Sequence, residues 1–98
     1  MARKVKSVSA PPHPGSLVRA VMEELGLSIN AFARKLNVAP STVHRIVTEN
    51  AAISPEMAVR LSVTLGGSAD SWMQHQVDYD LWYARKRVDV SELQVMRS

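Results

Sequence analysis

The chain has 98 residues, 46% of them hydrophobic, which is enough for one core of moderate size and too little for two domains. It contains no cysteine, which excludes disulfides and thiolate metal sites, and no apolar run approaches the length of a membrane span. The net charge of +3 is compatible with a polyanionic partner but too small to name one.

The distribution of charge says more than its sum. Between Ser28 and Thr48 the charged residues are Arg34, Lys35 and Arg45, whereas between Glu56 and Asp80 four acids oppose the single base Arg60. One end of the domain suits phosphate and the other repels it.

Residues 1–12 combine Arg3, Lys4 and Lys6 with Ser, Ala and two prolines and lack apolar periodicity, so they read as a flexible arm. Pro11, Pro12, His13 and Pro14 stand where a signal peptide would place its apolar stretch, and the cytoplasm is the expected compartment. The arm can follow phosphate or enter a minor groove; the alternative is that it only solubilises.

Folding is expected to begin near His13. Pro14 suits a first helical turn, Leu17, Val18, Val21, Met22 and Leu25 keep the rhythm of an amphipathic helix, and Gly26 ends it. Ser28 can cap a second helix that buries Ile29, Phe32, Ala33 and Leu36 and stops at Asn37. A third opens with Pro40 and buries Val43 and Ile46, with Val47 a further candidate. Ser54-Pro55-Glu56-Met57 is a strong start for a fourth, combining a cap, a proline at the first position and an acid at the positive dipole end; Met57, Ala58, Leu61 and Leu65 form its inner face. Ser68 begins a fifth that ends around Arg87, with Met73, Val77 and Leu81 on one stripe and Trp72, Tyr79 and Tyr83 near another. Residues 88–98 form a tail that can be a short strand, a helical turn or disordered. The expected fold class is all-α, a compact five-helix domain over residues 13–87.

The informative segment is Ile29 to Ile46, two short helices joined by a turn too tight for an ordinary helical hairpin. Ala33 supplies a small side chain where the helices cross, Asn37 can adopt the left-handed conformation of the turn, Val38 plugs it, and Val43 with Ile46 fixes the third helix to the core. Pro40, Ser41, His44, Arg45 and Thr48 then point outward. A helix of this width fits the DNA major groove. There Arg45 can donate two bonds to guanine, Ser41 can bond either base type, and the Thr42 hydroxyl is placed for phosphate. Ser28 sits at a helix N-terminus, itself an anion site. Taken as an isolated pair, such helices occur in any bundle, with Arg45 merely solvated; the joint pattern favours a DNA-binding helix-turn-helix.

His13-Pro14-Gly15, Gly26-Leu27-Ser28, Ser41-Thr42-Val43, the block from Ile53 to Leu61, and Tyr79-Asp80-Leu81-Trp82 resemble, in order and spacing, the signatures of the HigA family of antitoxins. That resemblance covers His13 to about Arg87. It implies a lambda-repressor-like helix-turn-helix fold and a homodimeric repressor of its own operon that binds a palindromic operator and pairs with a small ribosome-dependent mRNA endonuclease as toxin. Two departures stand out: Ala39 occupies the usual polar cap of the recognition helix, and Ile29 stands where related phage repressors often place glutamine.

His13, His44 and His75 are scattered with no helical His-x-x-x-His pair, so no metal or other cofactor is expected. Asp78 and Asp80 diverge around a helix rather than forming a catalytic pair, and no activated nucleophile is visible, so an enzyme is not expected. Trp72, Tyr79, Trp82 and Tyr83 spread around the fifth helix and cannot share one core; some meet solvent or a partner. Besides the antitoxin, the sequence admits a repressor with no toxin partner and a protein-interaction module that has lost DNA binding.

Overall fold

A computed structural model describes residues 9–96 of the chain. Five helices follow one another: α1 (Pro14–Glu24), α2 (Ile29–Leu36), α3 (Pro40–Val47), α4 (Pro55–Leu65) and α5 (Ala69–Arg87), with no strand among the described residues. The basic residues Arg3, Lys4 and Lys6 of the expected arm lie outside those residues.

Each helix start has a local cause. The Oγ atoms of Ser28, Ser54 and Ser68 accept from the backbone N–H of Ala31, Met57 and Ser71, satisfying donors that have no partner within the helix. α1 is capped differently: the Nδ1 of His13 accepts from Gly15 N–H at 2.8 Å. That imidazole is buried, with its ring edge-on to Tyr79 of α5 at 4.8 Å between centroids. An N-terminal cap and a contact between α1 and α5 are thus one side chain.

The helix ends are equally local. After α1, Gly26 takes φ +71° and Leu27 N–H returns to Met22 C=O; after α2, Asn37 takes φ +59° and Val38 N–H returns to Ala33 C=O. α3 closes the same way through Glu49, at φ +65°, with Asn50 N–H on Arg45 C=O at 2.7 Å. A glutamate is an uncommon choice for that conformation.

The core gathers Val18 and Met22 of α1, Phe32, Ala33 and Leu36 of α2, Val43, Ile46 and Val47 of α3, and Met57, Ala58 and Leu61 of α4, closed by Ile53 and Trp72. Leu25, expected on the α1 stripe, is exposed, because the helix stops at Glu24 and the chain turns away at Gly26.

α5 also departs from the apolar pattern. Its buried residues are Trp72 and Gln76, while Val77 and Leu81 are about two-fifths exposed. The Trp72 indole N–H reaches Gly66 C=O at 3.1 Å. The Gln76 Oε1 accepts from Ile53 N–H at 2.8 Å, and its Nε2 donates to Asp80 at 3.0 Å. A buried polar group needs partners, and here the glutamine supplies one to the loop before α4. Beyond α5, residues 88–96 contain one turn, at Ser91 and Glu92, and their apolar side chains are exposed. The Asp89 carboxylate accepts from Ser91 N–H, which holds its pKa below the ordinary value.

Candidate nucleic-acid interface

α2 and α3 form the helix-turn-helix, and its shape follows from three positions. Ala33 is buried at the crossing, Asn37 makes the left-handed turn, and Val38 packs against the core from inside the turn. A fourth support comes from α4. The Arg60 guanidinium donates to Leu36 C=O at 2.7 Å and to Asn37 C=O at 3.4 Å, satisfying carbonyls that the end of α2 leaves free. Arg60 reads from the sequence only as the lone base of an acidic stretch. Its task depends on a contact across 24 residues of chain, for which local spacing carries no signal.

α3 is held from the other side by α1. Gly15 lies against the α3 backbone so closely that a Cβ would overlap the Ile46 carbonyl oxygen and stand 2.9 Å from its carbon. Glycine is needed there for space.

With Val43, Ile46 and Val47 buried, the outer face of α3 follows by rotation, and Ser41, His44 and Arg45 are exposed on it. Pro40 is exposed at the first helical position, and Thr42 is half-buried. Ser28 is exposed at the start of α2; its oxygen is occupied by Ala31 N–H, which leaves the hydroxyl proton available to an acceptor.

Thr48 is placed differently from the rest. It terminates α3, donates its hydroxyl proton to His44 C=O at 2.7 Å, and accepts from the Asn50 amide at 3.0 Å. Its polar atoms therefore serve the helix end. Ala39 precedes α3 with no side-chain cap, so α3 starts without the bonded serine seen at α2, α4 and α5. Arg34 and Lys35 are exposed in the last turn of α2 and extend the basic character of this end, which Glu49 interrupts.

Among the described residues, no three His, Asp or Glu side chains gather as a metal site, and no helix is long and apolar enough to cross a membrane.

Residues 18–72 match the family described as Helix-turn-helix. The HTH-type transcriptional regulator YddM of Escherichia coli is 44% identical over 82 residues, 84% of this chain and 87% of that protein. Antitoxin GraA, in a structure with its operator, is 32% identical with a TM-score of 0.84, covering 97% of this chain and 100% of that one. Antitoxin HigA of Pseudomonas aeruginosa, in a structure with the higBA promoter, is 35% identical with a TM-score of 0.75, covering 86% and 99%. The chain belongs to the helix-turn-helix family of DNA-binding regulators and is antitoxin-like within it.

Proposed function

We propose that this chain is a homodimeric antitoxin that represses its own toxin-antitoxin operon and neutralises a ribosome-dependent mRNA endonuclease in the cytoplasm. The observation that carries the DNA-binding half is the two-sidedness of α3: Val43, Ile46 and Val47 lock it to the core while Ser41, His44 and Arg45 stand free in solvent. Arg45 and Ser41 read base edges in the major groove, with His44 beside them. Ser28, Thr42 and the start of α3 at Pro40 meet phosphate, and Thr48 limits the reading face at its C-terminal end. The unit that does this runs from residue 13 to 87, with the N-terminal arm available to DNA and the tail to a partner.

Two copies are needed because one helix reads too few base pairs for useful specificity, so the half-sites lie about one helical turn, or a multiple, apart. No constellation in the site activates water or a nucleophile, so action on the toxin is stoichiometric. GraA and HigA, with their operator and promoter, support the DNA-binding part of this reading.

A second reading is a repressor with no toxin, consistent with the 44% identity to a protein named only as an HTH-type transcriptional regulator. Footprinting of the purified chain on its own upstream DNA tests the shared part: a protected palindrome is expected, and uniform protection at every salt concentration contradicts it. Co-purification with the product of an adjacent small reading frame, and relief of its RNA cleavage at a fixed molar ratio, separates the two readings.

A further inference from the structure

Three helices converge on His13. Its Nδ1 accepts from Gly15 N–H at 2.8 Å and so caps α1, its ring stands edge-on to Tyr79 of α5, and the side chain is buried. The third helix enters through the residue that it caps. A Cβ on Gly15 would lie 3.0 Å from His13 Nδ1 and would overlap the Ile46 carbonyl oxygen, so the cap, the glycine and the end of α3 meet at one point. That end is otherwise held only by its own turn, with Ile46 C=O accepting from Glu49 N–H at 3.0 Å and Arg45 C=O from Asn50 N–H at 2.7 Å. Arg45, assigned above to a base edge, is thus the neighbour of a carbonyl whose place depends on where Gly15 stands.

The serines that cap α2, α4 and α5 keep an acceptor oxygen whatever the pH, whereas an imidazole does not. A ring nitrogen that accepts carries no proton, so the bond to Gly15 requires the neutral ring with its proton on Nε2. Protonation turns Nδ1 into a donor facing another donor, strips Gly15 N–H of its partner at the positive end of α1, and places a charge on a buried ring. Facing that ring from α5 is Tyr79, with Tyr83 packed on it at 4.8 Å between centroids; across Gly15 stands the uncharged Ile46 carbonyl of α3. Glu49, just past α3, and Asp80, next to Tyr79, make no ion pair with it, since among the described residues the one ion pair is Arg19–Glu23. We propose that His13 is a positioning residue for the reading helix: its unprotonated Nδ1, acting through Gly15, holds the end of α3 in place, and operator binding weakens as that nitrogen gains a proton. The inference rests on the DNA-reading role of α3 proposed above and adds to it a residue that does not touch DNA.

The test compares two variants of the full chain with wild type. His13→Asn sets its Oδ1 where Nδ1 stands and does not titrate, whereas the longer side chain of His13→Gln cannot cap; both lose the ring against Tyr79 alike. Affinity for the chain's own upstream duplex and for a scrambled duplex is measured from about pH 7.5 to about pH 5.5 at constant ionic strength. At the upper pH the Asn variant is expected to bind the upstream duplex within about twofold of wild type, and the Gln variant about fivefold or more weaker. Toward the lower pH wild type should lose about fivefold relative to the Asn variant. His44, whose exposed ring gains charge on the DNA face and opposes the loss, and His75 titrate in both proteins, so the ratio isolates His13. An Asn variant as weak as the Gln variant, or parallel pH profiles for wild type and the Asn variant, overturns the positioning role alone. A wild type with no preference for the upstream duplex at the upper pH overturns the DNA-reading role and this inference together. Should thermal melts show either variant unfolded, an NMR titration of wild type over the same range decides: the Gly15 and Glu49 amide signals are expected to shift with the midpoint of the His13 ring, and a Glu49 amide that does not follow it overturns the link to α3.

Discussion

Gly15 and Ile46 meet backbone to backbone: the Cα of the first turn of α1 rests on the carbonyl of the last turn of α3, with no room for a methyl group between them. The α3 main chain is thereby seated from behind, on the side opposite Ser41 and Arg45. Gly15→Ala must separate the two helices, since a backbone carbonyl cannot rotate aside as a side chain can. A loss of about 1–3 kcal/mol is expected, in the range of overpacked cores. A urea titration of the variant beside wild type measures it, and an unchanged midpoint would show that α1 can shift without cost.

Arg45 and Ser28 are expected to fail differently. Arg45→Ala removes a two-bond contact to a base, costing about 1–3 kcal/mol on operator DNA and much less on scrambled DNA, with no loss of stability because the side chain is exposed. Ser28→Ala weakens both duplexes alike, since a phosphate contact carries no sequence information. It also removes the cap on Ala31 N–H, so its stability falls by about 1 kcal/mol. Affinities for both duplexes at several salt concentrations, with a melt for each variant, decide the matter. Wild-type discrimination by Arg45→Ala would remove α3 as the reading helix.

The Gln76 amide is the buried partner of Ile53 N–H. Gln76→Leu keeps the volume but leaves that donor unsatisfied in the core, which costs about 1–3 kcal/mol. Hydrogen exchange should localise the damage, with Ile53 and the start of α4 losing protection before α2 and α3 do. Uniform loss across all five helices would instead point to a purely packing effect.

Glu49 holds a left-handed conformation that costs a residue with a Cβ about 1–3 kcal/mol, whereas glycine adopts it freely at some entropic cost in the unfolded chain. Glu49→Gly is therefore expected to stabilise the fold by about 0.5–1 kcal/mol. It also removes the one acid interrupting the basic end, so DNA affinity should rise most at low salt. Thermal melts and a salt series read both effects; a lowered melting temperature would mean that the glutamate side chain compensates for its backbone.

The helix caps and turns were legible because their causes are local. Ser28, Ser54 and Ser68 announce helix starts by their hydrogen bonds to the residue three ahead, and Gly26 and Asn37 announce ends by tolerating positive φ. The exposed face of α3 followed from the buried positions of Val43 and Ile46, because 3.6 residues per turn leave no freedom once one face is assigned. Even the odd start of that helix, at an uncapped Ala39, is written in one residue.

On α5 periodicity shows an apolar stripe but not which face is buried: a glutamine with two hydrogen bonds takes the core position, while Val77 and Leu81 stay about two-fifths exposed. The bond from the Thr48 hydroxyl to His44 C=O at the end of α3 is not legible from its place on the outer face of the helix. The Arg60 bond to Leu36 and the Gly15 contact with Ile46 join residues 24 and 31 positions apart. Propensity, capping and periodicity act over a few residues, so the sequence alone determined which segments are helical and which α3 residues face out. How closely α1 and α4 grip the helix-turn-helix is set by the packing of distant segments, and the tertiary structure alone decided it.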